Sequence, residues 1–110
     1  MKLDWDCVRE LLIAAEALNN KEMVHPGTIK GWSEDVIIEH IKLLTEAGLV
    51  EGYPKTNPMF IERLTWNGHQ LLAILRSQSL WERIKAEAKD RSLSLSFEII
   101  RVLANKLIGV

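Results

Sequence analysis

The chain has 110 residues, of which 47% are hydrophobic and 26% charged, and its formal net charge is −1. These values are ordinary for one soluble globular domain, and the apolar runs are far too short for a membrane-spanning helix. The start, Met1-Lys2-Leu3-Asp4, lacks the apolar stretch of a secretory signal. Cys7 is the only cysteine, which excludes an intrachain disulfide and leads us to expect a cytoplasmic protein with a small buried thiol.

The charges are unevenly distributed along the chain. Residues 1–75 carry seven Lys or Arg against eleven Asp or Glu, a net charge of −4. Residues 76–110 carry seven against four, a net charge of +3. Proteins that depend on nucleic acid usually carry a basic stripe, because contacts to phosphates supply most of the affinity. Only the C-terminal third of this chain could supply such a stripe.

The first helix is predicted to begin after Asp4, whose carboxylate suits an N-cap, and to run to about Leu18. Polar residues 19–21 end it, and the Gly and Pro residues that follow prevent a continuous helix. Val24 together with Thr28-Ile29 is predicted to add one short strand beside a later hairpin.

The second helix is predicted to be capped by Ser33 and to run to Ala47, and Gly48 suits the left-handed position after a helix. Two strands, Leu49–Tyr53 and Met59–Leu64, come next in the sequence. Prolines at both ends of the connection confine it to a tight turn, so these strands are predicted to form a hairpin.

Two helices are predicted after the hairpin. Thr65 can cap the first of them, which runs to about Arg76. Ser79 and Glu82 have the spacing of a capping box, so the next helix is predicted from Ser79 to about Lys89.

Ser94 or Ser96 is predicted to start a last helix that ends near Leu107. Apolar residues cover more than half of its circumference, so packing on a single neighbour would leave much of that surface exposed. The helix is therefore predicted to insert between two elements or to join a second copy of the chain. The side chains assigned to this packing or dimer contact are Ile99, Val102, Leu103 and Leu107.

These elements predict a mainly α protein with a small β-hairpin wing. A winged-helix-like core is expected over residues 1–76, with a C-terminal helical extension over residues 77–110 packed on the same single domain. The core of the first part is predicted to contain Val8, Leu12, Ile37, Ile41, Leu44, Leu49, Ile61 and Leu64.

In a winged helix, the second predicted helix would face the major groove of DNA. Its solvent-facing side carries three acids and one base, namely Asp35, Glu39, Lys42 and Glu46. Acids meet repulsion from phosphates, so this composition argues against groove reading and favours a solvated helix face. If the chain does bind DNA, the expected contacts are Lys42, Lys55, Asn57 and Arg63.

The sequence shows no pattern of catalytic or metal-binding residues. The three histidines have no metal-ligand spacing with one another or with Cys7, and there is no Gly-rich phosphate loop. We therefore expect no enzymatic activity, no metal and no cofactor. His40 lies in the apolar arc of its helix and is predicted to be a hydrogen-bonded core residue. The four tryptophans lie near helix starts, where we expect them to be structural.

Several short motifs span nearly the whole chain: Met1-Lys2-x-Asp4, Trp32-Ser33-Glu34, His40-x-Lys42-Leu43-Leu44-x-Glu46-Ala47-Gly48-Leu49, Arg63-Leu64-Thr65-Trp66-x-Gly68-His69 and Trp81. In these motifs the chain resembles a bacterial and prophage family of small proteins catalogued as a domain of unknown function. The resemblance implies a winged-helix-like fold and a phage or mobile-element context, and it implies no particular activity.

A broader similarity links Leu44-x-x-Ala47-Gly48-Leu49-Val50 and Leu64-Thr65-x-x-Gly68 to the multiple-antibiotic-resistance-type regulators. The chain departs from these regulators by its acidic helix face and by the lack of a clear separate helix between the first helix and Ser33. Two functions remain open. One is a phage- or prophage-related DNA-associated transcriptional regulator, favoured by the common use of winged helices. The other is a protein–protein interaction module on the same scaffold, favoured by charge, and neither reading involves a membrane.

Overall fold

The computed structural model describes residues 3–108, so Met1 and Lys2 of the first motif lie outside the described residues. The elements in chain order are α1 (Trp5–Glu16), a 3-10 turn (Pro26–Thr28), α2 (Glu34–Glu46), β1 (Val50–Tyr53), β2 (Phe60–Leu64), α3 (Trp66–Arg76), α4 (Gln78–Asp90) and α5 (Phe97–Ile108). The prediction of a mainly α protein with one small hairpin is confirmed. The chain divides between Gln70 and Leu71 into two compact units, the N-terminal unit and the C-terminal unit.

The start of α1 follows from its cap. The Asp4 carboxylate accepts hydrogen bonds from the backbone N–H groups of Asp6 and Cys7, at 3.0 and 3.2 Å. These donors have no partner inside the helix, so the cap satisfies them. The helix ends at Glu16, two residues before the predicted end at Leu18.

The two ends of α2 are fixed by local chemistry. Ser33 accepts a hydrogen bond from the Val36 N–H at 3.3 Å, which confirms the predicted N-cap. At the other end Gly48 adopts a φ of +75°, a conformation that disfavours residues with a Cβ. The Leu49 N–H then bonds to the Leu44 carbonyl at 3.0 Å, as in a Schellman motif.

The hairpin pairs β1 with β2 in antiparallel register, from Val50 opposite Leu64 to Tyr53 opposite Phe60. The predicted third strand is reduced to a single residue, Val24, which forms an isolated bridge with Ile61.

The assignment of Thr28 and Ile29 to that strand was wrong. The backbone N–H and the hydroxyl of Thr28 both donate to the His25 carbonyl, at 3.1 and 2.7 Å. These bonds close a 3-10 turn that begins at Pro26, whose ring fixes φ at a helical value. The segment is therefore a turn, and of the predicted strand residues it is Val24 that pairs with the hairpin.

The first turn of α3 rests on the end of α2. The Thr65 hydroxyl accepts from the Gly68 N–H at 3.1 Å and donates to the Gly48 carbonyl at 2.7 Å. A Cβ at Gly68 would lie 2.1 Å from the Leu49 carbonyl oxygen, closer than non-bonded atoms can approach. This close approach explains why Thr65 and Gly68 occur together in the Leu-Thr-x-x-Gly motif.

The core of the N-terminal unit is formed by α1, α2 and the hairpin. All eight residues predicted for this core are buried, namely Val8, Leu12, Ile37, Ile41, Leu44, Leu49, Ile61 and Leu64. The polar residue His40 is also buried in this core, with 1% of its surface exposed.

The C-terminal unit contains the packed helices α4 and α5, and a salt bridge joins Lys106 to Glu87 at 3.2 Å. The N-cap of α4 is Ser77, which accepts from the Leu80 N–H, so the capping box predicted at Ser79 was wrong. The start of α5 confirms one of the two predicted caps, because Ser96 accepts from the Ile99 N–H at 3.1 Å.

None of the helices among residues 3–108 has the length and apolar character needed to cross a membrane.

Candidate interaction surface

The solvent side of α2 is acidic. Asp35, Glu39 and Glu46 are exposed and Lys42 is half-buried, while Ile37, His40, Ile41 and Leu44 on the opposite side are buried. We call the first four side chains the acidic face. The helix dipole stabilises the acids in the first turn of α2. Glu46, however, lies at the C-terminal end, where the dipole is already negative. A cation would be stabilised at that end.

An apolar border runs beside the acidic face. Val36 and Ala47 are exposed and Leu43 is half-buried. At 100° per residue these three positions lie on one line along the helix, between the acids and the buried side. The solvent-accessible surface of α2 therefore carries a row of carboxylates next to a narrow apolar row.

Trp66 is the most exposed large hydrophobic residue among residues 3–108, with 73% of its surface accessible. It is the first residue of α3 and follows Thr65, whose hydroxyl is bonded to the Gly48 carbonyl. The backbone of Trp66 therefore lies at the place where the start of α3 contacts the end of α2. We call this place, with Glu46, Ala47, Gly48 and Trp66, the α2–α3 corner.

The prediction of a structural role for Trp66 was wrong, because its side chain is exposed and is not packed in the core. Its helix offered the signal that identifies it. On a helical wheel Gly68, Leu71, Leu72 and Leu75 form the buried arc of α3, and Trp66 lies on the opposite side. The position relative to this arc, and not the proximity to a helix start, indicates its exposure.

The hairpin neutralises its own arginine. The Arg63 guanidinium donates two hydrogen bonds to the Glu51 carboxylate on the paired strand, one of them at 2.9 Å. This bond to Arg63 lowers the pKa of Glu51, and the same bond raises the pKa of Arg63. A guanidinium that already donates to a carboxylate has fewer N–H groups left to donate to a phosphate.

The other candidate DNA contacts are few. Lys55 and Asn57 lie exposed in the turn of the hairpin, as predicted from the sequence. Lys55 also lowers the pKa of Glu51 through its charge, although Arg63 has the larger effect, so Lys55 too stands near a carboxylate. Lys42 is half-buried among the acids of α2. These four residues do not form a basic surface that is free of acids.

A polar network underlies the N-terminal end of α2. The Asp4 carboxylate accepts from the Trp32 indole N–H at 2.8 Å, and the backbone N–H of Asp4 donates to Nε2 of His40 at 3.0 Å. The other ring nitrogen, Nδ1, lies 2.8 Å from the Val36 carbonyl, so it carries the proton that this bond requires. His40 is a hydrogen-bonded core residue, as predicted, and the first three sequence motifs meet in this network.

Among residues 3–108 no group of three metal-binding side chains occurs, and no buried side-chain polar atom lacks a partner. A groove of about 330 Å³ beside β2 is lined by charges of both signs, including Glu22, Lys21 and Arg63, and by His69. Cys7 is fully buried, and burial with the nearby Asp4 charge raises the pKa of its thiol to about 12.

The predicted contact residues of α5 differ in exposure. Leu103 is buried, with 2% exposed, and Val102 is exposed at 55%. Ile99 and Leu107 are half-buried. One side of the helix thus packs within the C-terminal unit, and Val102 and Ile108 face outward.

Comparison with known proteins places the chain within a family. Residues 2–94 match the family model described as "Hypothetical protein (DUF2513)". An "Uncharacterized protein" of Haemophilus influenzae is 34% identical over 114 residues, a match that covers 99% of this chain and 97% of that protein. No solved structure matches the chain significantly.

Proposed function

The chain belongs to the DUF2513 family, and from its surface we propose that it is a non-enzymatic protein–protein interaction module on a winged-helix-like scaffold. The acidic face of α2 is the observation that supports this proposal most directly. In a winged helix this helix would enter the major groove, where carboxylates are repelled by phosphates. The same row of acids is suited to a basic protein surface, which it would attract before contact.

The hairpin supports the same conclusion. Arg63, one of the predicted phosphate contacts on the hairpin, donates two hydrogen bonds to Glu51. Releasing it would leave that carboxylate without its partner next to the nucleic acid. The alternative, a phage- or prophage-related DNA-associated regulator, would depend on Lys55 and Asn57 at the exposed turn and on Lys42.

A salt titration with random duplex DNA separates the two functions. We expect no binding of the wild-type protein even at low salt, where the nonspecific electrostatic attraction is strongest. The variant Glu39→Lys should gain weak, salt-sensitive DNA binding, because it removes an acid from the α2 face and adds a base. Glu10→Lys, the same charge change on an exposed site of α1, is the matched control. Binding by the wild type that weakens with salt would contradict the proposal.

A photo-crosslinking experiment tests directly for a protein partner at α2. Val36 on α2 and Leu93 in the C-terminal unit have similar exposures, 36% and 39%. A crosslinking residue at position 36 should form adducts in cells that a protease destroys and a nuclease leaves intact, and the same residue at position 93 should not. Adducts that a nuclease removes would favour the regulator instead.

A further inference from the structure

We propose that the α2–α3 corner binds a basic, amphipathic segment of a partner protein, with an arginine or lysine side chain of that segment lying on the face of Trp66. This inference rests on the proposed function, and it adds the anchoring residue and the chemistry of the partner.

The first observation is that Trp66 has no visible structural role. Its side chain is 73% exposed, and among residues 3–108 its indole takes part in no hydrogen bond or ring contact. The other tryptophans differ: Trp32 donates to Asp4, Trp81 is buried and Trp5 is half-buried. An exposed indole leaves a large apolar area in water, and tryptophan is enriched among the residues that dominate binding energy at protein interfaces.

The second observation is the charge at the end of α2, where the Gly48 carbonyl accepts a hydrogen bond from Thr65, the neighbour of Trp66. Glu46 occupies the last turn of α2, which carries no basic residue. The end of the helix is itself negative because of its unpaired carbonyl groups. An aromatic face beside negative charge attracts cations, and arginine stacks on tryptophan more readily than other cationic side chains. The chain contains one such contact already, with Nζ of Lys85 5.6 Å from the Trp81 ring centroid.

The third observation is the apolar border of α2, which indicates that the cation belongs to an amphipathic segment. Val36, Leu43 and Ala47 form a row that ends at the corner. A partner helix with alternating apolar and basic faces would cover this row and place its basic side chains over Glu39 and Glu46. A nucleic acid presents phosphates to the same acids and would be repelled, so the charge is complementary to a basic protein segment.

The test uses the whole 110-residue chain and a synthetic peptide of about 18 residues, an amphipathic helix composed of Leu, Ala and Arg. A second peptide with citrulline in place of arginine keeps the shape and removes the charge. Binding is followed by amide chemical shifts and by tryptophan fluorescence, and we expect shifts in α2 and the start of α3 with a blue shift that the Trp66→Phe variant lacks.

Two pairs of variants locate the contact. Trp66→Ala should weaken binding of the arginine peptide about tenfold or more, as removal of an interface anchor does. Tyr53→Ala removes another exposed aromatic, 48% accessible on the hairpin, and should change the affinity less than about twofold. Glu46→Gln should weaken binding a few-fold at low salt and Glu10→Gln should not. Since Trp66 is exposed, Trp66→Ala should keep the wild-type melting temperature, which is measured in parallel.

Equal binding by the wild type and Trp66→Ala would overturn the inference, and so would equal binding of the citrulline peptide or the absence of binding. Single-stranded oligothymidine is the third probe. If it bound Trp66 more tightly than the arginine peptide at the same salt, the proposed class of partner would be wrong. These results differ from a failure of the proposed function, which would appear as binding of the wild type to duplex DNA at low salt.

Discussion

At the scale of single residues, Asp4 connects the start of α1 with Trp32 and with His40 of α2. One carboxylate oxygen caps α1 and the other accepts from Trp32, while its backbone N–H is bonded to His40. Trp32 is the main cause that holds the pKa of Asp4 below its ordinary value, and burial opposes that effect. Because the lowered pKa reflects bonds made only in the folded state, ionisation of Asp4 stabilises the protein.

The variant Asp4→Asn tests this role. An asparagine can still cap α1, but its amide group would face the Trp32 N–H, so two donors would meet. We expect a loss of about 1–2 kcal/mol in the free energy of unfolding at neutral pH, measured by urea denaturation. Asp6→Asn, which removes an exposed acid of the first turn of α1 and its surface pair with Arg9, is the control and should cost less.

The pH dependence has a definite sign. The folded-state pKa of Asp4 is lowered, so the stabilisation is fully present above the unfolded pKa, about 3.9, and is lost as the pH falls through the folded value. The difference between wild type and Asp4→Asn should therefore shrink below about pH 4. A difference that stayed constant down to pH 2 would show that the carboxylate charge is not involved.

At the scale of elements, the helix ends were predicted well wherever one residue determines them. Asp4, Ser33 and Gly48 each act through bonds to backbone groups two to four residues away, so their effects are visible in the sequence. The cap of α4 was misplaced because Ser77 and Ser79 are both chemically suitable. The choice depends on the tight turn after α3, in which the Ser77 N–H bonds to the Ile74 carbonyl.

The candidate surface was predicted in part. The acidic face followed from helical periodicity, but the bond between Arg63 and Glu51 depends on strand register, which the sequence does not specify. The exposure of Trp66 depends on which side of α3 is buried. Its proximity to a helix start suggested a structural role, whereas the close approach of Gly68 to Leu49 determines the orientation of the helix.

Substitutions at the residues that follow α4 and α2 should change the free energy of unfolding in opposite directions. The residue after the cap of α4 is Ser92, with a φ of +56°, and the Leu93 N–H bonds to the Ala88 carbonyl as in a Schellman motif. Glycine adopts this conformation without steric cost, so Ser92→Gly should raise the free energy of unfolding by about 0.5–1 kcal/mol.

Gly48→Ala should lower the free energy of unfolding by about 1 kcal/mol, because Gly48 has the same backbone conformation with a φ of +75°. Urea denaturation measures both variants. Ser94→Gly, outside the helices, is the control for the flexibility that glycine adds to the unfolded chain. A Ser92→Gly protein no more stable than this control would contradict the assignment.

At the scale of the whole molecule, the outward residues of α5 support a proposal about self-association. Val102 and Ile108 are more than half exposed, while Leu103 is buried in the C-terminal unit. We propose that two copies of the chain join through this outward side, at whose edge Ile99 is also partly accessible, whereas Leu107 lies four residues after Leu103 on the packed side. A two-fold contact of this kind would use the same patch on both copies.

Two glutamate substitutions distinguish packing from association. Leu103→Glu removes a side chain whose burial contributes about 1.5–3 kcal/mol and places a charge in the packed core, so it should unfold the C-terminal unit. Val102→Glu should leave the circular dichroism unchanged and convert a dimer into a monomer in sedimentation. A wild-type protein that already sediments as a monomer would refute the association.

The buried thiol of Cys7 makes the chain convenient for labelling. Its pKa of about 12 leaves almost no thiolate at neutral pH, and the side chain has no exposed surface. A maleimide dye or a nitroxide will therefore react with an introduced cysteine and spare the native one. Pairs of cysteines introduced at exposed helix positions can therefore carry two labels for distance measurements. The native Cys7 in the core does not have to be replaced first.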